Sequence, residues 1–548
     1  MEKKGVFPTY FVIVIAATSI VSTLADVSPF LDMTYAFKTG ETIYWPTARP
    51  FELEIVQAGE NDRFGIYMEW NNFCAAEHGG THVDSPAHFV KGRNRVHEVA
   101  LDTLIGPAVK LDIKDKADEN SDAELTVSDI QDWEKIHGEI PDDVILLVYS
   151  GWGSRWPDKK AFLGTDTNDT SQLHFPGISP EAAQWLVDNR RIKAVGIDTP
   201  SFDCGQSKTF QAHRILFEKN IPGLETIAQL DQLPATGATI YAVPIGIHDG
   251  SGAPARIFAT GWRGDIPEPC NIEAGGPSPY LDMSYRFKEN ETIYWPGSRP
   301  FELNIEFRGE TEGGYYYEGN SICAAEHGGT HMDAPSHFVR GKPRVHDVPL
   351  DALIGPAVKI DIKAKADEDS LAEMEVADLE AWEEANGRIP DGVIVMVYSG
   401  RGFQWLNRTA FLGLETNNAS LLHFPGIHPD AARWLVNNRK IKCVGIDTPS
   451  PDHGQSRTLG SHLTFFKNDI PVLENVANLD KLPSKGATVF AIPMKIHEGS
   501  GAPTRIFATG WNPDLNDPCR VVGGACHPTF GISLLLSIVA NIFIKLVF

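Results

Sequence analysis

The sequence predicts a mixed α/β protein built from two copies of one domain, and two observations carry that reading. Long segments recur: SPFLDMTYAFKTGETIYWPTARPFELEI from Ser28 returns as SPYLDMSYRFKENETIYWPGSRPFELNI from Ser278, and CAAEHGGTHVDSPAHFVKG from Cys74 returns as CAAEHGGTHMDAPSHFVRG from Cys323. Within each copy, short β-branched runs alternate with helix-like segments. A period of about 250 residues is a domain duplication, because solenoid units are far shorter. A chain of 548 residues is also too long for one hydrophobic core.

In the first copy, Ala108–Lys114 and Val144–Tyr149 read as strands, the second apolar enough for burial on both faces. A helix is expected up to Ile136, with Thr126 or Ser128 as its cap, and another after Ser179, where Pro180 suits the first turn. Ile192–Asp198 and Ile240–Pro244 read as further strands. Pattern alone does not order them in a sheet.

Boundaries follow from composition. Lys3 and Lys4, the apolar stretch Tyr10–Val21 and the small-residue site Thr23-Leu24-Ala25 make residues 1–25 a secretory signal peptide. Residues 28–270 form the first domain, 271–277 a Gly/Pro-containing linker and 278–519 the second domain. The tail, 520–548, is almost wholly apolar from Phe530 onward and lacks a basic flank. Gly523, Gly524 and Ala525 suit its replacement by a lipid anchor, with a single membrane span as the alternative because the spacer is short. Sequons at Asn168, Asn290, Asn407 and Asn418 agree with a secretory route to the outside or the cell surface. In that oxidising setting, bridges Cys74–Cys270 and Cys323–Cys519 are expected within each copy, with Cys526 left to the tail.

Composition narrows the partners. A net charge of -24 repels nucleic acid phosphates and anionic lipid headgroups, so membrane contact is expected only through the tail. No Gly-Lys-Ser/Thr follows Gly151-Trp-Gly-Ser, which excludes a phosphate loop, and no G-x-S-x-G supports a serine hydrolase. The duplication leaves the two domains to pair as a pseudo-dimer.

The chemistry concentrates in one segment. His78, His82, Asp84 and His88 lie within eleven residues, and His327, His331, Asp333 and His337 repeat the arrangement. Imidazole nitrogen and carboxylate oxygen are ligands that zinc and manganese take. Gly79 and Gly80 let the backbone turn so that His78 and His82 converge. His97/His346, His174/His423 and His248/His497 also pair between copies, but each stands alone in sequence and reads as structural. Asp198 and Asp447 either orient a ligand histidine or hold a turn.

This H-x-G-T-H-x-D-x-P-x-H-F pattern resembles the signature of the cyclase-type metal hydrolases, the family of bacterial kynurenine formamidase and isatin hydrolase. The resemblance covers nearly all of each copy, including the YWP segment, GIDTPS and a late His-to-Glu pair. It implies two homologous domains, each with a mixed barrel-like central β-sheet flanked by helices. By the same resemblance His78, His82, Asp84 and Glu225 hold one metal, and Asp84, His213 and Glu225 a second. In the second copy His327, His331, Asp333, His462 and Glu474 correspond. Two Zn2+ per domain are expected, with Mn2+ as the alternative. The resemblance also makes His88 and His337 the catalytic acid/bases and sets Trp45 and Trp295 against the substrate.

The implied activity is amide hydrolysis, first of all arylformamidase, the N-formylkynurenine type of cleavage in tryptophan catabolism. Opening of a cyclic, isatin-like amide is one alternative, and a metal-stabilised cell-surface binding protein is another. His88 either reaches the metal or points across the pocket; the other donors already suffice for two ions, which favours a base with an ordinary value near 6.5. The copies differ at Trp152/Arg401 and across Gln206–Ala212 against Gln455–Ser461, so their substrate pockets are expected to differ.

Overall fold

Val144–Tyr149 is too apolar to tolerate water on either side, and the computed structural model puts it in the middle of a closed sheet with its first five residues buried. Residues 28–61, 65–263 and 279–512 are described; the signal peptide, linker, tail, Cys270, Cys519 and Cys526 lie outside the described residues. The first domain contains β1 (Leu31–Asp32), β2 (Glu52–Asn61), β3 (Ile66–Ala76), β4 (His82–Asp84), β5 (Ile105–Asp112) and β6 (Glu124–Leu125). It continues with β7 (Val144–Tyr149), β8 (Gly177–Ile178), β9 (Ile192–Ile197), β10 (Gly223–Glu225), β11 (Thr236–Pro244) and β12 (Gly252–Thr260).

Seven of these close a barrel in the order β12, β11, β5, β7, β9, β10, β4, with β4 returning to β12. The run β5–β7–β9–β10 is parallel and the remaining pairs are antiparallel. β1 adds to the edge of β12. Helices cover the outside where the sequence expects them. Val127–His137 starts at Thr126, which exchanges hydrogen bonds with Asp129 in a capping box. Pro180–Asn189 is capped by Ser179 and buries Ala182, Ala183 and Leu186.

The second domain repeats this with β13 (Leu281–Asp282), β14 (Glu302–Glu310), β15 (Tyr316–Ala325), β16 (His331–Asp333), β17 (Ile354–Asp361) and β18 (Glu373–Met374). Then come β19 (Ile394–Tyr398), β20 (Gly426–Ile427), β21 (Cys443–Ile446), β22 (Val472–Glu474), β23 (Lys485–Pro493) and β24 (Gly501–Thr509). Each domain is therefore a seven-stranded mixed barrel flanked by helices.

The hairpins β2–β3 and β14–β15 join neither barrel. They meet in one four-stranded sheet, ordered β14-β15-β3-β2, in which β3 and β15 run antiparallel. Cys74 faces Cys323 in that register, and the two form a disulfide. This overturns the expected Cys74–Cys270 and Cys323–Cys519 bridges. An antiparallel pair about a pseudo-two-fold axis sets the residue at the axis opposite its own equivalent, so the matched cysteines find each other. Apolar packing continues across the join, with Tyr241 of β11 5.7 Å from Phe490 of β23. No helix among the described residues is long and apolar enough to cross a membrane.

Peptide mapping under non-reducing conditions is expected to recover a Cys74–Cys323 linked pair, and finding Cys74 joined to Cys270 contradicts this topology. Because the bridge closes a separation of 249 residues, Cys74→Ser with Cys323→Ser is expected to cost roughly 2–5 kcal/mol of stability, read by denaturant unfolding.

Candidate metal centres and their bases

Two glycines build the turn that starts each site. A Cβ on Gly79 would lie 2.0 Å from Tyr44 Cδ1, so only glycine lets that ring pack there, and Gly80 has φ +56. The chain then enters β4, where His82 and Asp84 share one face because side chains alternate along a strand. β10 runs antiparallel beside it and sets Glu225 directly opposite His82. The helix Gln211–Phe217 delivers His213.

The five side chains converge. His78 Nδ1 is 2.6 Å from Asp84 Oδ1, and His82 Nε2 is 3.0 Å from the same oxygen and 3.4 Å from Glu225 Oε2. His213 Nε2 is 3.1 Å from Glu225 Oε1 and 3.4 Å from Asp84 Oδ2. In the second domain His327, His331, Asp333, His462 and Glu474 reproduce these distances to within about 0.1 Å. All ten residues that the sequence nominated as metal ligands lie in these two clusters.

The far side of each imidazole explains why the near side faces inward. His82 Nδ1 donates to the Gly80 carbonyl at 3.0 Å, and His213 Nδ1 donates to Asp203 Oδ2 at 2.6 Å. Ser251 Oγ donates to Glu77 Oε2 at 2.7 Å, so it accepts from His78 Nε2 at 2.9 Å. Each ring then turns its other nitrogen toward buried carboxylates: His78 toward Asp84, and His82 and His213 toward both Asp84 and Glu225. His331 Nε2 is buried without a hydrogen-bond partner. Imidazole nitrogens converging with buried carboxylate oxygens in this way form a donor set that fits a divalent metal.

His88 is placed differently. Its ring stacks on His78 at 3.7 Å, and its Nε2 lies 3.8 Å from Asp84 Oδ2. Its Nδ1 donates to the backbone carbonyl of Glu318, which belongs to the other domain. His337 repeats this, with Nδ1 2.5 Å from the Glu69 carbonyl. The Glu318 carboxylate is itself gripped by Arg95 of the first domain, and Glu69 by Arg344 of the second. Each candidate base is thus held in one tautomer by the opposite domain, with Nε2 free to accept a proton. Burial, with His78 beside it, pushes His88 well below the ordinary histidine value, not near 6.5 as the sequence alone suggested.

Other nominated residues fall into place around this frame. Trp295 lines a cavity of about 340 Å³ at the second site, whereas Trp45 packs against Phe175 and Phe210. Asp198 holds a turn: its carboxylate accepts from Ser150 N at 3.0 Å and Trp152 N at 2.9 Å. Trp152 and Arg401 donate to the equivalent carbonyls of Phe162 and Phe411, so that difference swaps one anchor for another. His97 and His248 do not stand alone; their rings stack at 4.4 Å, as His346 and His497 do at 4.3 Å. Sequence reasoning missed Asp203, Asp452, Glu77, Glu326, Ser251 and Ser500. The recurrence of DTPS-x-D in both copies was the available signal for the two aspartates.

The chain matches the family described as "Putative cyclase" over residues 31–204 and 281–453, and it belongs to that family. Isatin hydrolase of Roseibium aggregatum is 33% identical over 216 residues, 38% of this chain and 81% of that protein. Kynurenine formamidase of Geobacillus thermodenitrificans is 31% identical over 229 residues, 42% of this chain and 96% of that protein. Among solved structures, isatin hydrolase A from Labrenzia aggregata is 32% identical and spans 45% of this chain and 100% of its own, with a TM-score of 0.40. The protein is thus a cyclase-family metal-dependent hydrolase present twice in one chain.

Asp203→Asn combined with Asp452→Asn is expected to weaken divalent-metal affinity by about tenfold or more, measured by chelator competition, because the charge orienting His213 and His462 is lost. Unchanged affinity would mean that these hydrogen bonds do not set the ligand rings.

Proposed function

We propose that both domains hydrolyse amides attached to an aromatic ring, with aryl formamides as the leading substrate class. The observation that carries this is the uncommitted Nε2 of His88 and His337 beside a complete ligand set. A site serving only to stabilise a binding protein has no use for a base fixed in one tautomer. In each domain Asp84 or Asp333, with the flanking histidines and Glu225 or Glu474, would hold two divalent ions, with zinc ahead of manganese. Bound there, such ions supply Lewis acidity toward an amide carbonyl and acidify water.

The chain's own side chains do the rest. His88 Nε2 takes the proton of the attacking water and returns it to the leaving amine nitrogen, and the Glu318 carbonyl steadies the imidazolium that forms between those steps. Trp295, Met68 and Trp70 offer apolar walls to an aromatic group at the second site. A second reading, opening of a cyclic amide, is favoured by the isatin hydrolase relative at 33% identity. The chemistry is the same, differing in whether the amine leaves or stays tethered. We place the protein in the secretory pathway or at the cell surface; the Cys74–Cys323 disulfide supports an oxidising compartment.

His88→Ala with His337→Ala is expected to keep bound metal near normal while turnover of an aryl formamide falls by about 10²-fold or more. His82→Ala with His331→Ala should lose metal together with activity. Equal metal loss in both double variants, read by elemental analysis, would make His88 and His337 ligands and remove the base from this scheme.

A further inference from the structure

The metal ligands of the two domains are superimposable in kind, but the walls above them are not, and each wall comes from the other domain. β15 of the second domain crosses the first site, and β3 of the first domain crosses the second site. Along these strands the inward positions carry Tyr317 and Gly319 over the first site and Met68 and Trp70 over the second. On the domains' own side, Phe210 in the first corresponds to Leu459 in the second.

These exchanges reshape the space. At the first site the Tyr317 ring lies 4.9 Å from His88 and 5.4 Å from Phe89. Phe210 lies 5.0 Å from Phe89 and 6.0 Å from Trp45, so rings run without a break from Trp45 to the base. The Tyr317 hydroxyl sits 3.0 Å from where a Cβ on Gly319 would be, which means the ring leans over that glycine in the place Trp70 holds at the other site. At the second site Leu459, Met68 and Trp70 instead border the cavity of about 340 Å³, and Trp295 is 36% exposed. The first site is walled by aromatic rings and a phenolic hydroxyl, and the second opens on an apolar cavity.

We infer that the two sites divide substrates by size and polarity: the second domain hydrolyses amides of extended or fused aromatic amines, and the first those of compact, polar aromatic amines. The inference rests on the amide-hydrolase reading. It also assigns the selectivity of each site to residues numbered in the opposite domain, with Met68 and Trp70 setting the second and Tyr317 and Gly319 the first.

The test isolates each site in the full-length, metal-loaded protein. His88→Ala leaves the second site working and His337→Ala leaves the first. For each, kcat/KM is measured on N-(1-naphthyl)formamide and on N-(4-hydroxyphenyl)formamide, and the ratio is compared. The second site is expected to favour the naphthyl substrate by about tenfold or more relative to the first, the scale on which pocket walls discriminate. Adding Met68→Tyr and Trp70→Gly to His88→Ala should lower the ratio of the second site, although both changes lie in the first domain. Tyr317→Met added to His337→Ala should raise the ratio of the first. Equal ratios from the two backgrounds overturn the division of substrates, and that comparison needs no hairpin variant to fold. A hairpin change that shifts only the site of its own domain overturns the crossed assignment. Loss of all amide turnover in both backgrounds, with metal bound, defeats the hydrolase reading and this inference together.

Discussion

Antiparallel pairing of β3 with β15 fixes nearly everything else in the molecule. The register that sets Cys74 opposite Cys323 also sets Ala75 opposite Ile322 and Ala76 opposite Ser321, so each strand extends beyond the axis into the other domain. Past that point each strand lies over the mouth of the opposite metal centre. The Glu318 carbonyl then reaches His88 and the Glu69 carbonyl reaches His337. A backbone carbonyl cannot be substituted away, so the hydrogen bond that orients each base is set by strand register. Slipping the register by one residue would turn the opposite strand face to the site and remove Met68, Trp70 and Tyr317 from it together.

How much of this was legible in the sequence depended on distance along the chain. His78, His82, Asp84 and His88 form a local group, and their repetition at His327, His331, Asp333 and His337 made the chemistry readable. His213 and Glu225 were reachable only through family resemblance, because nothing local ties them to β4. Helix starts at Thr126 and Ser179 were legible because caps are written in adjacent residues. The disulfide was misread because pairing within a copy was assumed, whereas two-fold symmetry joins equivalent residues between copies. Ser251 and Glu77 meet across 174 residues, and Asn320 meets Glu77 across 243, separations over which sequence pattern carries no signal. Barrel closure through β4 and β12 lies beyond pattern for the same reason.

The buried carboxylates show how each metal site draws on the opposite barrel. Glu77 is fully buried, and burial pushes its carboxyl above the ordinary carboxylate range. Burying such a group is costly unless hydrogen bonds replace water. Its Oε2 accepts three, from Ser251 N at 3.0 Å, Ser251 Oγ at 2.7 Å and Asn320 Nδ2 of the other domain at 2.8 Å, while Oε1 is buried without a hydrogen-bond partner. Glu326 is held in the same way by Ser500 and, at 2.9 Å, by Asn71 of the first domain. Separating the domains would therefore strip an amide donor from each buried glutamate and a carbonyl from each base, in addition to exposing the shared apolar packing.

That loss would not stay at the interface. Glu77 fixes the Ser251 hydroxyl, Ser251 fixes the tautomer of His78, and His78 presents Nδ1 to the metal position. The amide donor of Asn320 is thus three hydrogen bonds away from a metal ligand of the other domain. Linking the two barrels in one chain makes their association intramolecular, so the contact is held at a high effective concentration whatever the dilution of the protein. It also lets the facing walls diverge independently, because a change in β3 alters one site and a change in β15 the other. In a dimer of identical chains a single substitution would alter both. The tandem arrangement keeps the symmetric hydrogen bonds that hold two metal centres while freeing the asymmetric residues that line them.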